Sequence, residues 1–128
     1  MTGSEDGAAV GLSTVRAALR EALVARGFQV ASDTLGLRRD LYLIGDNDLA
    51  RALFEFHETA DDAAMSMYQG AWTPGLPPRF AVVPSVERSA DSVEMLEQIR
   101  ATPLFFGVCD DEVTFDDLDT LLAEHLKE

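Results

Sequence analysis

The segment ARALFEFH, residues 50–57, constrains the fold more than any other part of the sequence. In an extended chain Phe54 and Phe56 project to one face, whereas Glu55 and His57 project to the other. Two neighbouring aromatic side chains require a core on their face of the strand. A carboxylate between them is costly to bury unless it has a partner. The segment therefore predicts a central strand with Glu55 in a polar environment on its second face.

The patterns on either side of this strand predict an alternating order of helices and strands. The predicted elements are a helix over STVRAALREALVARGF, strands over 28–31, 40–44 and 50–57, a helix over ADDAAMSMYQGAW, a strand RFAVVP, a helix SADSVEMLEQIR, a strand PLFFGVC and a final helix. Three short strands with polar turns are typical of an antiparallel meander. We expect residues 1–12, which lack periodicity, to be a disordered tail. Residues 13–128 are then expected to form one α/β domain, with a mixed central sheet flanked by helices.

Short polar residues and a glycine predict where the helices begin and end. Ser13 or Thr14 is expected to cap the first helix, and Gly27 to end it. Thr59 and Thr114 each precede an acid by three residues, so each is expected to cap the helix that follows. The predicted apolar stripe of the second helix contains Ala64, Met67, Tyr68 and Ala71.

Length and apolar content limit the kinds of protein this chain can be. With 128 residues and 47% apolar content, it can bury one core. No apolar run approaches the roughly 18 residues that would cross a bilayer, and the N-terminus lacks the pattern of a signal peptide. We therefore expect a cytoplasmic protein without a membrane segment. The single cysteine, Cys109, lies in the apolar run LFFGVC and is expected to be a buried small hydrophobe.

The charge balance opposes nucleic-acid binding. Twenty-three acids against ten bases give a net charge of −13, whereas phosphate contacts come from Arg and Lys. Nine of the ten bases are arginine, a bias that also suits a salt-rich or high-GC organism, where acidity belongs to the whole proteome. The sequence leaves both explanations open.

One group of polar residues has the composition of a metal site. Asp40 opens the second predicted strand, Glu55 and His57 lie on the third, and Glu21 lies on the first helix. In a meander the start of one strand lies near the end of the next, so we expect Asp40 to approach Glu55. Two carboxylates at a strand edge suit a hard divalent cation, Mg²⁺ or Mn²⁺. Such an ion activates water and stabilises charge on a phosphate.

With these residues, in this order of elements, the chain resembles the PD-(D/E)xK nuclease superfamily over roughly residues 14–109. That superfamily has a restriction-endonuclease-like fold and includes Holliday junction resolvases. The resemblance assigns the helix acid to Glu21, the two metal-binding acids to Asp40 and Glu55, the motif lysine to the position of His57, and a supporting polar position to Gln69. A histidine is mostly neutral near pH 7, so His57 is expected to orient water or bind the metal rather than supply a fixed charge.

Two functions are compatible with the sequence. The first is a Mg²⁺- or Mn²⁺-dependent nuclease, or a nuclease-derived DNA-processing or repair subunit, with phosphate contacts from Arg38, Arg39, Arg51 and Arg79. The second is an inactive nuclease-like module, or another acidic α/β adaptor, that binds a protein partner or a second copy of itself. Under the second function Glu21 is a solvated helix acid, Asp40 caps a turn and His57 is an ordinary histidine at a strand end.

Overall fold

A computed structural model describes residues 11–32, 41–44, 50–68, 77–110 and 112–125, with Ser32 and Ala50 described by backbone alone. The helices are α1 (Leu12–Ala25), α2 (Ala60–Met67), α3 (Ala90–Gln98) and α4 (Leu118–His125). The strands are β1 (Gln29–Ser32), β2 (Leu41–Ile44), β3 (Ala50–Phe56), β4 (Arg79–Pro84), β5 (Ala101–Cys109) and β6 (Glu112–Phe115), and a 3₁₀ turn covers Ser85–Glu87.

The described strands form one mixed sheet in the order β1-β2-β3-β4-β5-β6. Strands β1, β2 and β3 are antiparallel neighbours, which confirms the predicted meander. Strand β4 is parallel to both β3 and β5, and the connections contain α2 and α3. Strand β6 returns antiparallel to β5. The chain is therefore an α/β protein with a mixed sheet and helices around it, as the patterns predicted.

Helices cover the sheet on both faces. On one face α1 and α4 pack against apolar side chains of the central strands, including Phe54 and Phe80. Those two rings lie in register on β3 and β4 and stack with their centroids 4.8 Å apart. On the other face α2 and α3 pack against β4 and β5, around Ala81 and Val83. The alternation along β3 thus directs Phe54 toward α1, and Glu55 toward the α2 side.

The first helix begins earlier than its polar residues predicted. Its N-cap is Gly11, and Ser13 and Thr14 lie within the first turn. The physical reason is Leu12, which packs against the core and so belongs to the helix. Gly27 follows the helix with a φ of +91°, a conformation that favours glycine and confirms the predicted end.

The second helix buries Met67, as predicted, but otherwise a different stripe from the predicted one. Thr59 is its N-cap, and the Thr59 side chain accepts a hydrogen bond from the Asp62 N–H, as expected. The helix then buries Ala60, Ala63 and Met67, which recur at helical spacing and pack against β4. Tyr68 is 55% exposed, Ala64 is half-buried, and Ala71 lies outside the described residues.

The C-terminal part contains a strand that the sequence analysis missed. Thr114 lies in β6 and does not cap a helix, and Cys109 is exposed at the end of β5, so both predictions were wrong. Cys109 pairs with Glu112 across a tight hairpin, and Asp110 in this turn has a φ of +53°. Strand β6 covers only four residues, too few for a clear alternation beside the acids that resembled a helix cap.

Among the described residues, no helix is long and apolar enough to span a membrane.

Candidate functional site

Glu55 and His57 form the polar pair at the end of β3. The carboxylate of Glu55 is almost fully buried, with 4% of the residue exposed, and His57 is half-buried. The Nε2 atom of His57 lies 3.2 Å from Oε1 of Glu55. The two side chains therefore lie on the same face of the sheet, as their spacing predicted. A buried carboxylate that is hydrogen-bonded to an imidazole can bind a cation or orient a water molecule.

Ser66 is a third member of this site that sequence analysis did not identify. It is an exposed residue of α2, and its Oγ donates a hydrogen bond of 3.2 Å to the same Oε1 atom of Glu55. Nothing in the local sequence marks this serine, because its partner is eleven residues away on a different element. Only the packing of α2 beside the end of β3 brings the two side chains together.

Arg79 has a structural role that its sequence context did not reveal. Its side chain is buried, and its guanidinium donates hydrogen bonds to the carbonyl oxygens of Met67 at 2.8 Å and Ile99 at 2.6 Å. These carbonyls lie at the C-terminal ends of α2 and α3, where a positive charge complements the helix dipole. Burial lowers the pKa of Arg79, and the Glu55 carboxylate acts in the opposite direction. In this position the hydrogen bonds of Arg79 join the ends of two helices.

The structure does not bring Glu21 or Arg51 to the pair. Glu21 is exposed on α1, which packs on the face of the sheet opposite to the Glu55 side chain. Arg51 lies near the start of β3, about 20 Å along the strand from His57 at ~3.3 Å per residue. Its guanidinium carbon lies 6.0 Å from the centroid of the Phe28 ring.

Four predicted site residues, Asp40, Gln69, Arg38 and Arg39, lie outside the described residues. The nearest described neighbour of Asp40 is Leu41, the first residue of β2. Leu41 pairs with Phe54, which precedes Glu55 in β3. The described register of β2 with β3 therefore extends to Leu41 and Phe54, which are the sequence neighbours of the predicted metal ligands.

The described donors fit part of a metal site. Carboxylate oxygen is the ligand type that Mg²⁺ and Mn²⁺ prefer, and Glu55 supplies it with the imidazole of His57 beside it. Within the described ranges, His, Cys, Asp and Glu side chains form no group of three or more with the geometry to hold a metal ion. A complete site would need a further ligand, and Asp40 is the residue predicted for that position.

Protein-family models, curated proteins and solved structures were compared with this chain, and none of the three comparisons gave a match.

Proposed function

We propose that this chain is a divalent-metal-dependent nuclease, or a nuclease-derived DNA-processing subunit, that acts on phosphodiester bonds at Glu55 and His57. The observation that carries the proposal is the buried carboxylate of Glu55, hydrogen-bonded to His57 at 3.2 Å on a central strand. A carboxylate is costly to place there, and an apolar residue at this position would cost less. A chemical function of Glu55 would explain why a carboxylate occupies this position in spite of its free-energy cost.

The order of the elements supports the proposal. A helix, a three-strand antiparallel meander, a second helix and a parallel fourth strand follow one another in α1 to β4. This is the order on which the resemblance to the PD-(D/E)xK nucleases was based. The pairing of Leu41 with Phe54 further supports Asp40 and Glu55 as ligands of one ion, since these acids adjoin a paired position.

Each residue of the proposed site has a separate chemical role. Asp40 and Glu55 would hold Mg²⁺ or Mn²⁺, which when bound stabilises the charge that develops on the phosphate. His57, beside Glu55, would orient the attacking water and accept its proton. Gln69 would support the site, and Arg38 and Arg39 would contact phosphates. Glu21 has no part in this version because α1 packs on the opposite face of the sheet, and the hydrogen bonds of Arg79 go to the ends of α2 and α3.

The distribution of charge favours a second candidate function, an acidic adaptor that binds a basic protein partner. The net charge is −13. Within α2 and α3, every charged side chain is an exposed acid, namely Asp61, Asp62, Asp91, Glu94 and Glu97. Such a surface repels DNA and attracts basic segments. Under this function Glu55 and His57 form only a structural hydrogen bond.

Cleavage assays separate the two functions. Purified wild type is incubated with single-stranded, duplex and branched DNA in the presence of Mn²⁺, beside Glu55→Gln and Asp40→Ala. Glu94→Gln is the matched control, because it removes one exposed acid from α3. The nuclease proposal predicts cleavage by wild type and Glu94→Gln, and none by the two site variants. Equal cleavage by wild type and Glu55→Gln, or none by any of the proteins, would contradict it and favour the adaptor.

A further inference from the structure

We infer that Ser66 is a positioning residue for the Glu55 carboxylate, an inference that rests on the function proposed above. The Ser66 Oγ donates to Oε1 of Glu55 at 3.2 Å, and the His57 Nε2 lies 3.2 Å from the same oxygen. The terminal torsion of a glutamate is broad and has no sharp preferred angle. Two contacts on one oxygen, one from β3 and one from α2, restrict that rotation. Because both oxygens belong to one planar carboxylate group, holding Oε1 also sets the orientation of the second oxygen.

The helix that carries Ser66 is held at both ends by side chains from other elements. At its N-terminal end the Ala60 N–H donates to the carboxylate of Glu87 at 2.8 Å. At its C-terminal end Arg79 donates to the carbonyl oxygen of Met67 at 2.8 Å. Ser66 directly precedes Met67, so its backbone lies next to this second contact. The backbone that carries Ser66 is therefore held by contacts other than the one between Ser66 and Glu55.

The exposure of Ser66 allows its role at the site to be separated from a role in stability. Ser66 is an exposed residue that reaches Glu55 only through its Oγ, whereas Glu55 is 4% exposed. Alanine is a better helix former than serine, which offsets part of the lost hydrogen bond to Glu55, so Ser66→Ala should still fold. Loss of a hydrogen-bonding partner of a ligating carboxylate typically weakens metal affinity by about 10–100-fold. Metal affinity should therefore fall in a protein that remains folded.

The test is a titration of the full chain with Mn²⁺ alone, with the free ion followed by electron paramagnetic resonance. Wild type is compared with Ser66→Ala, Ser66→Thr and Glu55→Gln. Ser13→Ala is the matched control, because Ser13 is an exposed helix serine on α1. We expect Ser66→Ala to weaken Mn²⁺ binding by about 10–100-fold. Ser66→Thr, which keeps the hydroxyl, and Ser13→Ala should bind as wild type does, and Glu55→Gln should lose the site. Thermal unfolding of all five proteins is measured in parallel.

Each contrary result has its own meaning. If Ser66→Ala binds Mn²⁺ as tightly as wild type while Glu55→Gln does not bind it, the positioning role is wrong and the proposed function stands. If Ser66→Thr is as weak as Ser66→Ala, the hydroxyl is not responsible, and the inference is again wrong. If wild type shows no Mn²⁺ site that depends on Glu55, the proposed function and this inference are both overturned.

Discussion

The guanidinium of Arg79 donates a hydrogen bond of 2.6 Å to the carbonyl oxygen of Ile99, the C-cap residue of α3. A second nitrogen of the same group donates to Met67 at the end of α2. The buried guanidinium of this β4 residue thereby caps the C-terminal ends of both helices on this face of the sheet. The resulting contact fixes α2 and α3 relative to the strand that lies between them in sequence.

Replacing Arg79 with methionine should therefore destabilise the protein. The substitution keeps the apolar stem but leaves two buried carbonyl oxygens without this donor, at about 1–3 kcal/mol for each unsatisfied group. We expect a total loss of about 2–6 kcal/mol in the free energy of unfolding, measured by urea denaturation. Arg20→Met on the exposed side of α1 is the control, with an expected change within about 0.5 kcal/mol. Equal stability of the two variants would show that Arg79 does not hold the helix ends.

The stacked pair of Phe54 and Phe80 makes a second stability prediction. Phe54 is fully buried between β3, β4 and α1, so Phe54→Ala empties an aromatic site in the core. The expected cost is about 3–5 kcal/mol in the free energy of unfolding. Val86→Ala, at a position that is 85% exposed, should change stability by less than about 0.5 kcal/mol. A cost below about 1 kcal/mol for Phe54→Ala would contradict the central position of β3.

The ion pair of Arg26 with Asp119 makes a prediction about pH. It joins the end of α1 to the first turn of α4 at 2.6 Å, and the hydrogen bond from Arg26 lowers the pKa of Asp119 below its ordinary value of 3.8. Because the folded-state pKa is depressed, the stabilisation is present above that ordinary value and disappears as pH falls through the lower folded-state value. Asp119→Asn should therefore be less stable than wild type at pH 7 and equally stable in strong acid.

Unfolding curves at several pH values, with Glu94→Gln as the exposed control, measure this difference. If the gap between wild type and Asp119→Asn were constant down to the acid limit, the pair would have no part in the pH dependence.

A fourth prediction concerns the residue type at position 57. The resemblance to PD-(D/E)xK nucleases places a lysine where this chain has His57. A fixed positive charge beside the attacked phosphate stabilises the charge that develops there. His57→Lys should therefore raise the rate of Mn²⁺-dependent DNA cleavage above that of wild type, and Asp40→Ala should abolish cleavage in both backgrounds. A rate for His57→Lys at or below wild type would mean that His57 is not at the lysine position.

The sequence was sufficient to predict elements that have a clear periodicity. The alternation around Glu55 identified β3, its two faces and the proximity of His57, because period two in a strand is a local property. Strand β6 was missed because it has only four residues and lies beside a run of acids. That sequence pattern is equally typical of a β-hairpin and of the start of a helix. The roles of Ser66 and Arg79 depend on where α2 and α3 end in space. Hydrogen bonds between residues on different helices and strands cannot be predicted from the local sequence pattern.

The measurement that tests the central claim most directly is the unfolding midpoint of wild type and Glu55→Gln with and without millimolar Mn²⁺. An ion that binds only the folded chain must stabilise it. The free energy of unfolding rises by about 2.7 kcal/mol when the ion concentration is one hundred times the dissociation constant. The proposed site predicts that Mn²⁺ raises the midpoint of wild type and of the control Glu94→Gln, and leaves that of Glu55→Gln unchanged. An equal midpoint shift in wild type and Glu55→Gln, or no shift in either, would contradict a metal site at Glu55.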